Sequence, residues 1–435
     1  MNEIVMLLLF IGILLFFFIT GVPVAFSLGL TTLALMFLGV GIGINPELLV
    51  LRMFGGVNSF ILLSIPFFLF AGRIMNAGGM TVRIFDFSKA LVGRVKGGLG
   101  HVNIIASMIF SGMSGVAVAD AAGLGAIEYK AMKDGGYSDE VSVGITAASA
   151  TIGPIIPPSV PLVIYAIIAN VSVGGILLGG ILPGIVIGCI LMLMATFYAH
   201  IYNFPYGDER RWSEVVRAFK NGFLALGTPL ILVGGILTGF FTPTEAAAVA
   251  VVYALILAMK IYKELTLREL WEIIKQTMID SAVVLLLVSV ASAYAFMIIR
   301  SRLPIIFAEQ IMSITQDPLM VLLIINLLLL VVGMFLETIA ALSILTPVLL
   351  PLTNMVGIDP IHFGLVMVFN LMIGLLTPPF GAVLFVLNKA TGVPLAKIVK
   401  GCLPFYIPLF IALALITLFP SLTLWLPNLV LGGAR

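Results

Sequence analysis

Charge is what this 435-residue chain has least of: 22 lysines and arginines and 20 aspartates and glutamates, about 10% of the sequence, against roughly 25% in soluble domains. Hydrophobic residues make up 61% and the mean hydropathy is +1.23, so the polar surface of a water-soluble globule is missing. That excludes a soluble enzyme, a nucleic-acid-binding module and a disordered tail together, and a net charge of +2 offers a polyanion little to hold. Cysteine is scarce as well. Cys189 and Cys402 both sit in apolar runs, which excludes a disulfide framework and a cysteine metal cluster. Histidine is limited to His101, His200 and His362, and no G-x-x-x-x-G-K-[ST] phosphate loop occurs. The opening MNEIVMLLLFIGILLFFF lacks a basic n-region and a small-residue cleavage site, so it reads as a retained first helix.

What is present is a succession of apolar stretches, and a span takes about 20 apolar residues. The chain therefore reads as an all-α polytopic membrane protein with the lipid bilayer as its solvent. Two stretches, about 98–134 and 318–356, are interrupted at their middles by SGMSG (111–115) and FLET (335–338). If both are re-entrant hairpins, every lysine and arginine except Arg52, Arg300, Arg302 and Arg435 falls on one side; if both cross, the split becomes nearly even. The positive-inside rule favours the hairpins. The result is about ten crossings plus two hairpins, with basic loops in the cytoplasm and both termini outside.

Three charged segments carry helical apolar stripes: Ile84, Phe87 and Leu91; Trp212, Val215, Val216 and Phe219; Leu267, Leu270, Trp271 and Ile274. They read as helices lying in the interface plane. Thr242 with Glu245 and Thr266 with Glu269 fit capping boxes.

Sliding the sequence along itself by one constant offset aligns Gly112-Met113 with Gly333-Met334, Ile152-Gly153 with Ile373-Gly374, and Pro157-Pro158 with Pro378-Pro379. Residues 1–220 and 221–435 thus form two repeats, each with five crossings and one hairpin. The odd number inverts the second repeat relative to the first. Secondary transporters are commonly built this way, with ligands held where broken helices of the two halves meet.

The broken helices cover about 138–170 and about 361–390. Each Pro-Pro removes amides from the helical ladder, which frees carbonyls from Gly153 through Ile156 to Pro157 and from Gly374 to Pro378. With the hydroxyls of Ser159 and Thr377 these make oxygen-rich pockets suited to a small hard cation. The hairpin tips supply facing walls: Ser111, Gly112, Ser114 and Gly115 in one, Gly333, Met334, Glu337 and Thr338 in the other. The half-helix after each break aims its positive N-terminal end inward, favouring an anionic substrate group. Asp120, Asp280 and Glu337 are ionisable groups in or beside membrane segments, with Glu337 the strongest functional candidate. Asp280, near Lys275, reads as an interfacial anchor. Asp120, Ser159 and Arg300 are the candidates for substrate contact.

Gly112-Met113-Ser114-Gly115 also fits the G-x-S-G of rhomboid intramembrane serine proteases. None of the three histidines lies where a buried Ser114 needs a general base, which counts against that rival. An ATP-driven permease would need a separate ATPase subunit, and a passive channel has less need of paired helix breaks.

The segments SGMSGVAVADAAGLGAIEYKAM (111–132), IGPIIPPSVPLVIYA (152–166), GFFTPTEAAAVAVVYAL (239–255), GMFLETIAALSILTPVLLPL (333–352) and IGLLTPPFGAVLFVLNKATG (373–392) resemble the large membrane subunit of tripartite ATP-independent periplasmic (TRAP) transporters. IPFFLFAGRIMNAGG (65–79) and GVPVAFSLGL (21–30) do too. The resemblance implies an elevator-type fold of the ion-transporter superfamily, whose hairpins and broken helices move against a scaffold of the remaining helices. It implies sodium-coupled uptake of an organic acid across the bacterial inner membrane, with a small four-helix membrane subunit and a periplasmic substrate-binding protein as partners. Sodium sites carried over from it are Ser111, Gly112, Ser114, Gly115, Gly153, Ile156 and Pro157 in the first half, and Gly333, Met334, Glu337, Thr338, Gly374, Thr377 and Pro378 in the second. Where many dicarboxylate-type members carry SGSSPAT, this chain has SGVAVAD at 114–120, which points toward a sugar acid such as sialic acid.

Overall fold

The computed structural model describes residues 3–39, 45–207 and 212–432. Arg210, Arg211 and Arg435 of the charge argument lie outside them, as do the side chains of Ser114 and Trp212. Regular structure among the described residues is helical, with one isolated bridge between Lys96 and Tyr206.

The chain opens with α1 (Glu3–Ile19), α2 (Val24–Phe37), α3 (Pro46–Val57), α4 (Ser64–Ala77) and α5 (Met80–Val92). Next come α6 (Gly98–Ser114), α7 (Ala117–Ala122) and α8 (Leu124–Asp134), then α9 (Asp139–Ala150), α10 (Val160–Ala169) and α11 (Val173–Ile201). The second part runs through α12 (Trp212–Leu237), α13 (Pro243–Leu255), α14 (Leu267–Arg300) and α15 (Leu303–Ile314). It ends with α16 (Pro318–Gly333), α17 (Thr338–Met355), α18 (Pro360–Gly374), α19 (Ala382–Thr391), α20 (Leu395–Cys402), α21 (Tyr406–Leu418) and α22 (Ser421–Leu431).

Helix starts follow local chemistry. Thr242 and Thr266 each form a reciprocal capping box, with Glu245 and Glu269, satisfying amides that would otherwise be orphaned. Ser138, Ser159 and Ser172 cap α9, α10 and α11 in the same sense. The gaps between α9 and α10 and between α18 and α19 hold Pro157-Pro158 and Pro378-Pro379, both joined by cis peptide bonds.

Seven described helical stretches are long and apolar enough to cross a bilayer, among them Val173–Ile201, Leu267–Arg300 and Leu395–Leu418. The interrupted segments α6, α10, α16, α18 and α19 are shorter, so length alone recovers fewer spans than the ten expected from sequence. By length Thr338–Met355 also qualifies, where the charge pattern of the sequence predicts the return arm of a hairpin. The chain is a multi-pass membrane protein.

Two sequence expectations change. The stripes beginning at Trp212 and Leu267 are not separate interface-plane helices. They are the first turns of α12 and α14, the latter running unbroken for 34 residues, because nothing in either junction breaks the helical ladder. Asp280 is no lone anchor near Lys275: it pairs with Arg73 of α4, while Lys275 pairs with Glu272 at 2.9 Å. Tertiary packing of α4 on α14 brings that arginine within reach.

Burial divides the helices. One core is built around α1, α2, α3 and α14 by Phe10, Leu28, Leu35, Leu49, Tyr294 and Met297. A larger one contains α6, α9, α10 and α18, with Phe110, Ile145, Tyr165, Phe363 and Phe369 among its fully buried or nearly buried side chains. Cys189 is exposed and Cys402 buried, both as free thiols.

Candidate functional site: two helix breaks against two tips

The first tip ends at Gly115, whose φ of +62° is a conformation glycine adopts without Cβ strain. A side chain there would run into the carbonyl of Pro158. The amide of Val160, just past the prolines, donates to the Gly115 carbonyl at 3.3 Å. Gly112 is likewise pressed between the break and α12, its Cβ position 3.7 Å from the Pro157 oxygen and 2.7 Å from Pro229. Gly112, Gly115 and Pro157 are thus brought together as the sequence predicts.

The second tip repeats the arrangement. The Phe380 amide, again just past the prolines, donates to the Met334 carbonyl at 3.3 Å. Gly333 and Gly374 touch backbone to backbone, since a Cβ on Gly333 would lie 3.2 Å from the Gly374 Cα. Beside them opens a cavity of about 370 Å³ bounded by Met334, Glu337, Leu375, Phe380 and Phe385. The first break is buried almost throughout, whereas Pro378, Pro379 and Phe380 are exposed.

The carbonyl inventory differs between the breaks. At the first, Pro154 accepts from the Ser159 hydroxyl, while the oxygens of Gly153, Ile156 and Pro157 accept no hydrogen bond among the described residues. At the second, the expectation of free carbonyls fails for Gly374 to Thr377. Gly374 accepts from Thr377 N at 2.9 Å, Leu375 from Val383 N at 3.3 Å and Thr377 from Gly381 N at 3.2 Å. Leu376 accepts from the Tyr406 hydroxyl at 2.6 Å. Tight turns and one tyrosine close this break. Each carbonyl oxygen retains a second lone pair, so a cation here would share oxygens already bonded once.

Several candidate side chains are locally engaged. Ser111 Oγ donates to Met108 O at 2.6 Å and Thr377 Oγ1 to Ile373 O at 2.9 Å, leaving each hydroxyl oxygen able to accept a cation. Ser159 caps α10, accepting from Leu162 N at 3.2 Å. Glu337 caps α17, accepting from the Ile339 and Ala340 amides at 2.9 and 3.3 Å. Its carboxylate thus serves the helix start, satisfying two amides that would otherwise be orphaned. The Thr338 hydroxyl is buried and has no hydrogen-bond partner among the described residues, an orphan acceptor of the kind a cation satisfies. Asp120 is buried against the first break, with Oδ2 2.8 Å from the Cβ position of Gly153. Arg300 is exposed in the last turn of α14, where its charge suits the helix C-terminus; it does not line the cavity.

Sequence reasoning missed a buried polar chain behind the first tip. Glu128 of α8, 1% exposed, accepts from Ser107 Oγ at 3.4 Å, which also meets Ser149 Oγ at 3.2 Å. The only signal was a glutamate one helix turn beyond Leu124 inside a hydrophobic hairpin.

Residues 11–422 match the family described as tripartite ATP-independent periplasmic transporter, DctM component. A sialic acid TRAP transporter large permease protein of Vibrio cholerae is 47% identical over 95% of this chain and 96% of its own. A sialic acid TRAP transporter permease protein of Haemophilus influenzae is 41% identical over 94% of this chain and 66% of its own. The Alcanivorax borkumensis YdaH transporter structure, at 16% identity, aligns with a TM-score of 0.62 over 87% of this chain and 88% of that one, a likeness of fold. These relatives are permeases and not enzymes, which removes the protease reading of Ser114. The chain belongs to the tripartite ATP-independent periplasmic transporter family, as its DctM component.

Proposed function

We propose that this chain carries a carboxylate substrate, a sugar acid of the sialic acid type in preference to a C4-dicarboxylate, across the bacterial inner membrane, coupled to sodium entry. A periplasmic binding protein delivers the substrate and a small four-helix membrane subunit completes the system. The chain crosses ten times, with both termini periplasmic. Sodium sits at the two breaks: with Ser111, Gly112, Ser114 and Gly115 against Gly153 to Pro157, and with Gly333, Met334 and Thr338 against Gly374 to Pro378. Supporting the sugar acid, the two relatives above are sialic acid transporters.

One observation carries the elevator reading. Let α6–α11 with α16–α22 be one group and α1–α5 with α12–α15 the other. Arg73–Asp280, Arg83–Glu264, Thr244–Phe60, Ser289–Met53 and Tyr253–Leu224 stay within the second group. Tyr165–Pro360, Tyr406–Leu376, Asn370–Asn326 and Lys133–Asp139 stay within the first. Among the described residues, Asp120 and Glu214 apart, no side-chain hydrogen bond or ion pair joins the groups. Contacts across the boundary include glycine contacts such as Gly112 on Pro229, and the side-chain bonds named above all stay intact when one group slides on the other. Uptake of labelled sialic acid by proteoliposomes holding both membrane subunits, with the binding protein outside, tests the function. An inward sodium gradient should drive it, and unchanged uptake without the gradient would contradict it.

A further inference from the structure

Each hairpin is fastened to its broken helix through an asparagine. Asn103 of α6 donates to Thr146 Oγ1 at 2.8 Å and accepts from Ser149 Oγ at 2.6 Å, both on α9. Asn370 of α18 donates to the side-chain oxygen of Asn326 at 2.7 Å and to its carbonyl at 3.0 Å, on α16. Ser149 and Asn370 occupy the same position of the internal repeat, four residues before Gly153 and Gly374. Both are fully buried.

Packing does not require such bonds. Apolar side chains of similar volume would fill either site without leaving polar groups to satisfy, and apolar helix faces in lipid can settle in several axial registers. A hydrogen bond between fixed positions selects one register, which is the best-attested use of a buried polar pair. One residue of slip moves a helix by about 1.5 Å, enough to pull a tip carbonyl out of a cation's coordination distance.

We propose that Ser149 and Asn370 are positioning residues: their bonds to Asn103 and Asn326 set the register between hairpin and broken helix and so fix the geometry of the breaks. The inference rests on the reading that coupling sodium binds there. Each clasp is itself braced, the first by Ser107 on Ser149 and the second by Thr417 Oγ1, which accepts from Asn326 Nδ2 at 3.1 Å.

The test uses the complete reconstituted transporter, with half-saturating sodium, maximal uptake rate and the unfolding temperature of the purified chain all measured. Ser149→Ala and Asn370→Leu should raise half-saturating sodium roughly fivefold or more while maximal rate at saturating sodium stays within about twofold of the unmodified protein. Ser149→Thr, which keeps the hydroxyl, should behave as the unmodified protein. In the double variant Asn326→Leu with Asn370→Leu the unfolding temperature should recover, since neither amide is left unpaired, yet half-saturating sodium should stay raised. Unchanged half-saturating sodium in the single variants, or its recovery in the double variant, would overturn the positioning role. Sodium-independent uptake by the unmodified protein would instead overturn the underlying sodium reading, and the inference with it.

Discussion

Gly333 and Gly374 meet backbone to backbone: a Cβ on Gly374 would lie 2.6 Å from the Gly333 Cα. Neither backbone can yield without moving a hairpin tip or a helix end. Gly374→Ala should therefore open the second tip, costing about 1–3 kcal/mol. Sodium-driven uptake should fall about tenfold or more, with the chain still inserted in the membrane. Full uptake by Gly374→Ala would mean that this contact does not shape the site.

Thr377 lies between Gly374 and the paired prolines, with its proton committed to Ile373 O at 2.9 Å and the Tyr406 hydroxyl beside it. Thr377→Ala should raise half-saturating sodium several-fold, and Thr377→Ser should restore it. Thermal unfolding of Thr377→Ala should shift little, because the lost hydrogen bond is worth about 1 kcal/mol.

The Arg73–Asp280 pair holds α4 to α14 in the second group. Both side chains are more than a third exposed, so Arg73→Leu should destabilise the chain by about 1 kcal/mol or less. Arg73→Leu with Asp280→Leu should regain most of that loss. Thermal unfolding in detergent reads both, and a double variant worse than the single one would show that the pair is not the cause.

Gly123, between α7 and α8, lies across the boundary from Asn76 of α4, its Cβ position 3.2 Å from the Asn76 Cγ. A sulfur in place of that Cγ would sit about 3 Å from the opposing Cβ, the separation that the bond lengths of a disulfide require. Cysteines at both positions, in a background of Cys189→Ser and Cys402→Ala, should cross-link under oxidation. Uptake should then stop and return on reduction. Undiminished uptake in the fully cross-linked protein would remove the sliding of one group past the other.

Some of this was legible in the sequence. The paired prolines fall at equivalent repeat positions, and proline's missing amide has the same consequence wherever it occurs, so both breaks could be placed by residue. Gly112, Gly333 and Gly374 were legible from the internal repeat and Gly115 from its place in the first tip; close backbone approach is the physical reason that glycine stands there. The occupied carbonyls of the second break were not. Those of Gly374, Leu375 and Thr377 are taken by backbone amides of turns that the proline spacing does not specify, and that of Leu376 by Tyr406, 30 residues downstream, where tyrosine has no spacing that announces a distant acceptor. Arg73 and Asp280, 207 residues apart, pair through packing of α4 on α14, which no local pattern encodes. The stripes at Trp212 and Leu267 misled because an interface-plane helix and the wet first turns of a spanning helix share one periodicity. Glu337 was read as an ion ligand from its place in the second tip and its membrane depth; its capping of α17 through the Ile339 and Ala340 amides was not legible, because glutamate is not among the common N-cap residues.

The central claim is coupling, and flux of the ion itself tests it most directly. In proteoliposomes holding both membrane subunits and radioactive sodium outside, adding sialic acid with its binding protein should drive sodium inward, and sialic acid with the Gly374→Ala chain should not. Entry of sialic acid with no accompanying sodium flux would contradict the account.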